Sequence, residues 1–296
     1  MKPSGFVYHR PDSLEEALEV LSQVGDEGKV LAGGQSLIPM LSMRLAAPAH
    51  LVDINRVDGL ATVEVAHGRV VVGATVRHSA LERHEEASRA IPLLAQALTH
   101  VAHPTIRNRG TSVGSLVHAD PAGEMPAVLS LLDGTVQVAS LGGTRQVSAS
   151  DFFLGPMESA VKPGEMAVSA QFARPPSGTG SAWQELSRRH GDYAMCGVGA
   201  LVTLDADRRV TRARVGLISV GPTPVLVDVT EAVGGQSIDD LDPGPASELV
   251  DEAIDPEADI HASADYRGHL ARVLTSRALT TAARSASPPG STGEDS

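Results

Sequence analysis

The stretch that decides the fold is VLAGGQSLIPMLSMRL, residues Val30–Leu45. It begins with strand-like residues and continues from Leu37 as a helix-like apolar run. Between the two, Gly33 and Gly34 let the backbone turn sharply and approach a ligand with no side chain in the way. Ser36 is expected to cap the helix, whose first N–H groups lack internal partners and favour a bound anion. A plain strand–turn–helix connection is the alternative.

A second stretch, HPTIRNRGTSVGSLVHADPAGEMPAVLSLL (His103–Leu132), has a similar composition. Asp120 and Pro121 are expected to start another helix, and the Asp120 carboxylate suits ribose or ribityl hydroxyls. Bare backbone amides and hydroxyls hold a diphosphate without any lysine. Two such turns predict a dinucleotide clamped from two sides, and a polar surface loop is the alternative. The glycines and hydroxyls of this turn are Gly110, Thr111, Ser112, Gly114 and Ser115.

Length, charge and cysteine content argue against several classes of protein. The 296 residues are enough for two domains. The net charge of −12 argues against nucleic acid as a partner, because phosphate binding needs clustered basic charge. One cysteine, Cys196, forms no internal disulfide and holds no iron–sulfur cluster alone. No apolar run approaches the roughly 20 residues of a bilayer span. We therefore expect a cytoplasmic protein without membrane insertion.

The pattern of elements predicts an α+β protein of two domains. Residues 1–175 are predicted to form one mixed unit built on two strand–turn–helix connections. Within it, RPDSLEEALEVLSQVG predicts a helix, because Pro11, Asp12 and Ser13 precede apolar residues spaced three and four apart. The segments TVQVAS and TRQVSASDFF predict a hairpin. The segment RPPSGTGS, Arg174–Ser181, is the best candidate linker. Residues 176–282 contain strands followed by helices, which predicts an antiparallel sheet covered by helices. Residues 283–296 are rich in Ser, Pro and Gly and are expected to be a disordered tail.

Several catalytic motifs match only in part. GTSVG fits the G-x-S-x-G elbow of serine hydrolases, but no buried strand precedes it, so a Ser112 nucleophile is disfavoured. The GVG at Gly197 is followed by Val202 where a dinucleotide fingerprint needs a third glycine. The eleven histidines show no metal-ligand spacing, so no metal site is expected.

Tyr193 is a candidate cofactor contact. It lies in RRHGDYAMCGVGA, Arg188–Ala200, directly after a Gly-Asp turn. A tyrosine on a loop can stack on a flat ring. An ordinary half-buried strand tyrosine is the alternative.

Together, LAGGQSLIPMLSMRLAAPAHLVDINRV, AHPTIRNRGTSVGSLVHADPAGEMPAVL and GDYAMCGVGA closely resemble the FAD-binding medium subunit of molybdenum hydroxylases. That family includes carbon monoxide dehydrogenase and dehydrogenases of nicotine, caffeine and quinoline, and its flavin domain resembles that of xanthine dehydrogenase. The resemblance covers nearly the whole chain. It implies a vanillyl-alcohol-oxidase-type FAD-binding domain of two α/β subdomains over residues 1–175. A smaller C-terminal α+β flavoprotein domain is implied over residues 176–282.

The resemblance also implies the cofactor contacts. No side chain is assigned a catalytic role, since the flavin is the redox centre, and Tyr193 is placed beside the isoalloxazine ring. The two Gly-rich loops would hold the FAD pyrophosphate, with Asp120 near the ribityl or ribose hydroxyls. The residues implied to bind FAD are Leu31, Ala32, Gly33, Gly34, Gln35, Ser36, Leu37, Val101, Thr111, Ser112, Gly114, Ser115, Asp120, Val161 and Tyr193.

Partner subunits follow from the resemblance as well. A small subunit would contain two [2Fe–2S] clusters, a large one the molybdopterin cofactor and substrate pocket, in a dimer of heterotrimers. Electrons would pass from molybdenum through the clusters to FAD and an external acceptor. Carbon monoxide enzymes often have histidine at the position of Gln35, so an N-heteroaromatic substrate is favoured over carbon monoxide. A free-standing FAD-dependent oxidase of the same fold, and a scaffold without cofactor, are the alternatives.

Overall fold

The structure, a computed structural model, describes residues 2–287, which form two compact units. The first comprises the described part of Met1–Ala90, together with His103–Ala119 and Asp133–Ala173. The second comprises Ile91–Ala102, Asp120–Leu132 and the described part of Arg174–Ser296. The predicted tail from residue 288 onward lies outside the described residues, whereas residues 283–285 belong to the last helix.

A three-stranded parallel sheet begins the first unit. Its strand order is Val7–His9, His50–Asp53 and Gly28–Leu31. The predicted first helix, Leu14–Val24, connects two of these strands and buries Ala17, Leu18 and Leu21. Ser13 caps it by accepting a hydrogen bond from Glu16 N (3.1 Å), as its position before the apolar repeat indicates. Because Gly28–Leu31 and His50–Asp53 run parallel, their carboxyl ends lie at the same end of the sheet.

A five-stranded antiparallel sheet completes the first unit. Its order is Val63–Ala66, Arg69–Gly73, Met166–Ala173, Thr135–Ser140 and Gly143–Ser148. The last two strands form the hairpin predicted from the sequence. A small two-stranded sheet pairs Phe153–Gly155 with Glu158–Ser159. The other helices of this unit are Gly25–Glu27 (3₁₀), Leu37–Met43, His78–Glu82, Glu85–Ala90, Pro104–Arg107, Ser112–His118 and Ala149–Phe152.

The second unit is built on a four-stranded antiparallel sheet, as the turn residues predict. The strands, in order, are Thr179–Ser187, Ala194–Leu204, Val210–Ile218 and Val225–Asp228. The predicted α+β class is confirmed, with an antiparallel sheet at the C-terminal end of the chain. The long helix Ala264–Ser285 packs on the first two strands. Further helices of the second unit are Pro92–Leu98, Glu124–Leu131, Thr230–Val233, Ile238–Asp240 (3₁₀) and Gly244–Ala253.

Two helices from the first half of the chain belong to the second unit. Glu124–Leu131 is buried at seven of its eight residues and contacts the strand Val210–Ile218. Pro92–Leu98 contacts Glu124–Leu131 and the strand Thr179–Ser187. A helix that is buried on nearly all sides must pack against several neighbouring elements. Within this unit, the four-stranded sheet is one of those neighbours.

Two predicted details of local structure are wrong. The second of the two predicted strand–turn–helix connections has no strand, because the short helix Pro104–Arg107 precedes the Gly-rich stretch. Asp120 and Pro121 do not start a helix, since the helix begins at Glu124 with Gly123 as its cap residue. Asp120 instead accepts a hydrogen bond from Ala122 N (2.9 Å), which closes a local turn.

Among residues 2–287, no helix combines the length and the apolar character that a bilayer crossing requires.

Arg267 is a buried cation that joins three segments of the second unit. Its Nη1 donates to the carbonyls of Met195 (2.7 Å) and Ser219 (3.1 Å). Its Nη2 lies 2.7 Å from the Asp259 carboxylate. The carboxylate therefore neutralises a charge that is only 5% exposed.

We predict that Arg267→Met lowers the free energy of unfolding by about 2–4 kcal/mol, because methionine leaves two carbonyls without donors. Arg272→Met is the matched control in the same helix, since Arg272 forms only a half-exposed pair with Asp251 at 3.7 Å. That change should cost less than about 1 kcal/mol. Denaturant unfolding measures both, and equal losses would contradict the structural role of Arg267.

Candidate functional site

The first Gly-rich loop connects the strand Gly28–Leu31 to the helix Leu37–Met43. Gly34 has φ of 71°, a left-handed conformation that side chains disfavour. Ser36 is the N-cap residue but makes no side-chain cap bond, so its predicted capping by the hydroxyl is wrong. At the start of the helix, a backbone hydrogen bond is present instead, in which Ile38 N donates to Gly34 O (3.0 Å).

Consecutive backbone N–H groups of this loop have no hydrogen-bond acceptor in the part of the chain that the structure describes. Within residues 2–287, no protein acceptor bonds the N–H groups of Gly33, Gly34, Gln35 or Ser36. The Gln35 side chain folds back and donates to Gly33 O (3.1 Å). A run of unpartnered backbone donors is a site for an anion, and the same four residues are among the FAD contacts predicted from the sequence.

The second loop leads into the helix Ser112–His118. Thr111 caps this helix, since its Oγ1 accepts from Gly114 N (3.1 Å). Ser112 is fully buried, and its hydroxyl lies 3.3 Å from His78 Nδ1. Both of these predicted ligand hydroxyls thus bond the protein. The half-buried Ser115 hydroxyl has no protein hydrogen bond among the described residues.

The two loops meet backbone to backbone inside the first unit. A Cβ placed on Gly33 would lie 2.5 Å from Arg109 O, 2.7 Å from Gly110 Cα and 3.0 Å from Thr111 N. These are backbone atoms, which cannot swing away as a flexible side chain can. Gly33 therefore serves the contact between loops, in addition to the ligand access expected from the sequence.

A neutral histidine lies behind the second loop. His78 is 4% exposed, and its backbone N–H donates to Gly110 O (2.9 Å). Burial, with a smaller contribution from Arg107, lowers the pKa of His78 to about 4. The imidazole is therefore uncharged at neutral pH. It supports the loop by packing and hydrogen bonding rather than by charge.

The sequence reasoning missed a group of polar residues beside the loops. Asn55 Nδ2 donates to Ala32 O (2.8 Å), and Arg77 Nη1 donates to Arg109 O (2.5 Å). One signal was available: Asp53 and Asn55 stand at the carboxyl end of a parallel strand, next to the strand that leads into the first loop. Ligands bind at such strand ends in open α/β sheets.

The remaining predicted contacts in the first unit are Leu31, Leu37 and Val161, all half-buried. Leu31 ends its strand, and its carbonyl accepts from Ile54 N (3.1 Å). Leu37 is the first residue of its helix. Val161 follows the short strand Glu158–Ser159.

Val101, Asp120 and Tyr193 belong to the second unit. Tyr193 is 62% exposed, directly before the strand Ala194–Leu204, so it is not an ordinary half-buried strand residue. Loss of hydration, followed by the carboxylates of Asp120 and Asp192, raises the pKa of Tyr193. The phenol is therefore protonated at neutral pH. Its ring centroid lies 6.3 Å from that of His261.

Comparisons with known proteins cover both parts of the chain. Residues 4–172 match the family model of the FAD binding domain in molybdopterin dehydrogenase. Residues 181–282 match that of the CO dehydrogenase flavoprotein C-terminal domain. Together the two models span most of the sequence and confirm the predicted FAD-binding domain.

Individual relatives match from end to end. The chain is 40% identical over 289 residues to subunit alpha of the 6-hydroxypseudooxynicotine dehydrogenase complex of Paenarthrobacter nicotinovorans, over 97% of this chain and 98% of that protein. It is 38% identical over 286 residues to caffeine dehydrogenase subunit beta of Pseudomonas sp. (strain CBB1), over 96% of each.

A solved structure also matches this chain over nearly its whole length. The matching chain of carbon monoxide dehydrogenase from Hydrogenophaga pseudoflava has a TM-score of 0.91 and 32% identity, over 97% of this chain and 100% of that chain. The predicted fold and oxidoreductase class are thereby confirmed. The chain belongs to the family of FAD-binding medium subunits of molybdenum-dependent dehydrogenases.

Proposed function

We propose that this chain is the electron-transfer subunit of a molybdenum hydroxylase. It receives electrons from [2Fe–2S] clusters in a partner subunit and passes them through FAD to an external acceptor. The observation that supports this most is the first loop, where the unpartnered N–H groups of Gly33, Gly34, Gln35 and Ser36 lie against a second Gly-rich loop. Such donors fit a diphosphate.

In this proposal the chain's own residues bind and orient. The N–H groups of the first loop donate to the diphosphate, and the free hydroxyl of Ser115 adds a donor from the second loop. Asp120 accepts from a ribityl or ribose hydroxyl, and the neutral Tyr193 ring contacts the isoalloxazine. FAD, when bound, supplies the exchange of electrons, and the protein sets its position and access.

The proposed partners are a small iron–sulfur subunit and a large molybdopterin subunit, in a dimer of heterotrimers in the cytoplasm. Cys196 is fully buried, and burial raises the pKa of its thiol to about 12. Cluster ligation needs several thiolates, so the clusters of the proposed pathway lie in another chain.

We infer that the partner's substrate is an N-heteroaromatic compound rather than carbon monoxide. The relatives named for 6-hydroxypseudooxynicotine and caffeine are 40% and 38% identical to this chain. The carbon monoxide dehydrogenase structure is 32% identical. Substrate recognition takes place on the large subunit, so this inference is tested with that subunit present.

We predict that the purified complex is yellow and releases about one FAD per copy of this chain on denaturation. Absorbance of the released flavin measures the ratio. Flavin-free protein that takes up no added FAD would overturn the proposal.

A tagged chain should also bring down an iron–sulfur subunit and a large molybdenum subunit, whereas a lone active oxidase would favour the free-standing enzyme.

Gly33→Ala should weaken FAD binding about tenfold or more, because the new methyl group forces the two loops apart. Gly5→Ala is the control, since nothing lies within 4 Å of a Cβ at that position. Fluorescence titration of the FAD-depleted protein measures both dissociation constants. If both variants bind as the parent does, the loop contact does not shape the FAD site.

Tyr193→Ala should leave FAD bound, with an affinity loss of no more than about tenfold, because one aromatic contact contributes about 1 kcal/mol. The rates of flavin reduction and reoxidation should change, while Tyr193→Phe, which keeps the ring, should stay near the parent. Stopped-flow absorbance measures these rates. Parental rates in Tyr193→Ala would remove Tyr193 from the ring site.

A further inference from the structure

A chain of hydrogen bonds connects the two loops of the first unit through side chains. Arg77 Nη1 donates to Arg109 O (2.5 Å), and Arg77 Nη2 donates to Asn55 Oδ1 (2.7 Å). Asn55 Nδ2 donates in turn to Ala32 O (2.8 Å). We call Arg77 and Asn55 the loop bracket. The loop bracket connects the carbonyl of Ala32, directly before Gly33, to the carbonyl of Arg109, directly before Gly110.

Asp53 orients the amide of the bracket. Its Oδ1 accepts from Asn55 N (2.9 Å) and Asn55 Nδ2 (2.6 Å), and its Oδ2 accepts from the Tyr8 hydroxyl. Burial alone would raise the pKa of Asp53, but the hydrogen bonds from Tyr8 and Asn55 lower it. Asp53 is thus ionised at neutral pH. Because Nδ2 has two acceptors, Asp53 and Ala32, the amide oxygen of Asn55 faces the Arg77 donor.

The bracket has a direct geometric effect on the first loop. In a trans peptide the C=O of one residue and the N–H of the next point in opposite directions. The Ala32 carbonyl points to Asn55, so the N–H of Gly33 points away from the bracket. That N–H is the first of the unpartnered donors.

An arginine suits this position for its shape. Its planar guanidinium presents donors on separate nitrogens, which here reach a backbone carbonyl and a side-chain amide at once. A lysine has a single nitrogen and cannot reproduce both contacts in the same geometry.

We propose that Arg77, acting through Asn55, is a positioning residue that holds the two loops in register and turns the N–H of Gly33 toward the FAD diphosphate. This rests on the proposed function of the loops as the FAD site. Arg77 acts on the cofactor through the backbone, without contacting it.

The test compares FAD binding in variants of the full chain, prepared as the FAD-depleted complex and titrated by flavin fluorescence. Arg77→Gln and Asn55→Ala should each raise the FAD dissociation constant about tenfold, the effect of losing a charge-assisted hydrogen bond. The double variant should also lose about tenfold rather than a hundredfold, because either change breaks the same bracket.

Two controls separate geometry from charge. Arg77→Lys keeps the charge and should stay about tenfold weaker than the parent, since one nitrogen cannot bridge both contacts. Arg69→Gln removes the same charge from the five-stranded sheet, where Arg69 donates to Gln171 Oε1 (3.0 Å), and should bind FAD as the parent does.

The salt dependence of FAD binding gives a readout that a direct contact would change. Loss of a direct phosphate contact lowers the sensitivity of the affinity to ionic strength. Arg77→Lys and Asn55→Ala, which keep the charge of the chain, should bind FAD more weakly with the parental salt dependence, and parental affinity in Arg77→Lys would overturn the positioning role.

The remaining outcomes distinguish this inference from the proposed function. A parent that binds no FAD overturns both. A parent that binds FAD, with single variants of parental affinity or a double variant that loses a hundredfold, overturns the bracket alone. Thermal melts identify any variant with a damaged fold, and Arg77→Lys, the mildest change, then decides the outcome by its own affinity.

Discussion

The contact between two backbones at Gly33 is the constraint on which the candidate site depends. Arg109 O lies 2.5 Å from the position of a Cβ on Gly33, so the loops approach as closely as they do only because that residue has no side chain. The approach brings two chain segments, far apart in sequence, to one place. Donors held in position before a ligand arrives do not lose conformational entropy when it binds.

The candidate site offers hydrogen-bond donors to an anion although the protein as a whole is acidic. The net charge of the chain is −12, and the first loop contains no lysine or arginine. The unpartnered N–H groups provide partial positive charge instead. The nearby cation, Arg77, makes hydrogen bonds to the protein, and the buried His78 is neutral. Binding in this arrangement depends on backbone geometry, which glycines and hydrogen bonds maintain.

Local sequence patterns predicted local structure well. The helix Leu14–Val24 and the hairpin of Thr135–Ser140 with Gly143–Ser148 were predicted from the sequence, and Ser13, the last of the three residues in the predicted helix start, caps that helix. The pattern failed where two local structures compete. Asp120 resembles a helix cap, but its carboxylate closes a turn on Ala122 N, and the helix begins later.

The sequence by itself determined the two Gly-rich loops, the α+β class and the family, because these depend on residue types at short spacing. Only the tertiary structure decided that Gly33 packs on the second loop and that Arg77 and Asn55 join the two loops. The bracket's contacts connect residues 22, 23 and 32 positions apart. No local propensity specifies such pairs, because their distances are set by how the sheet and helices pack.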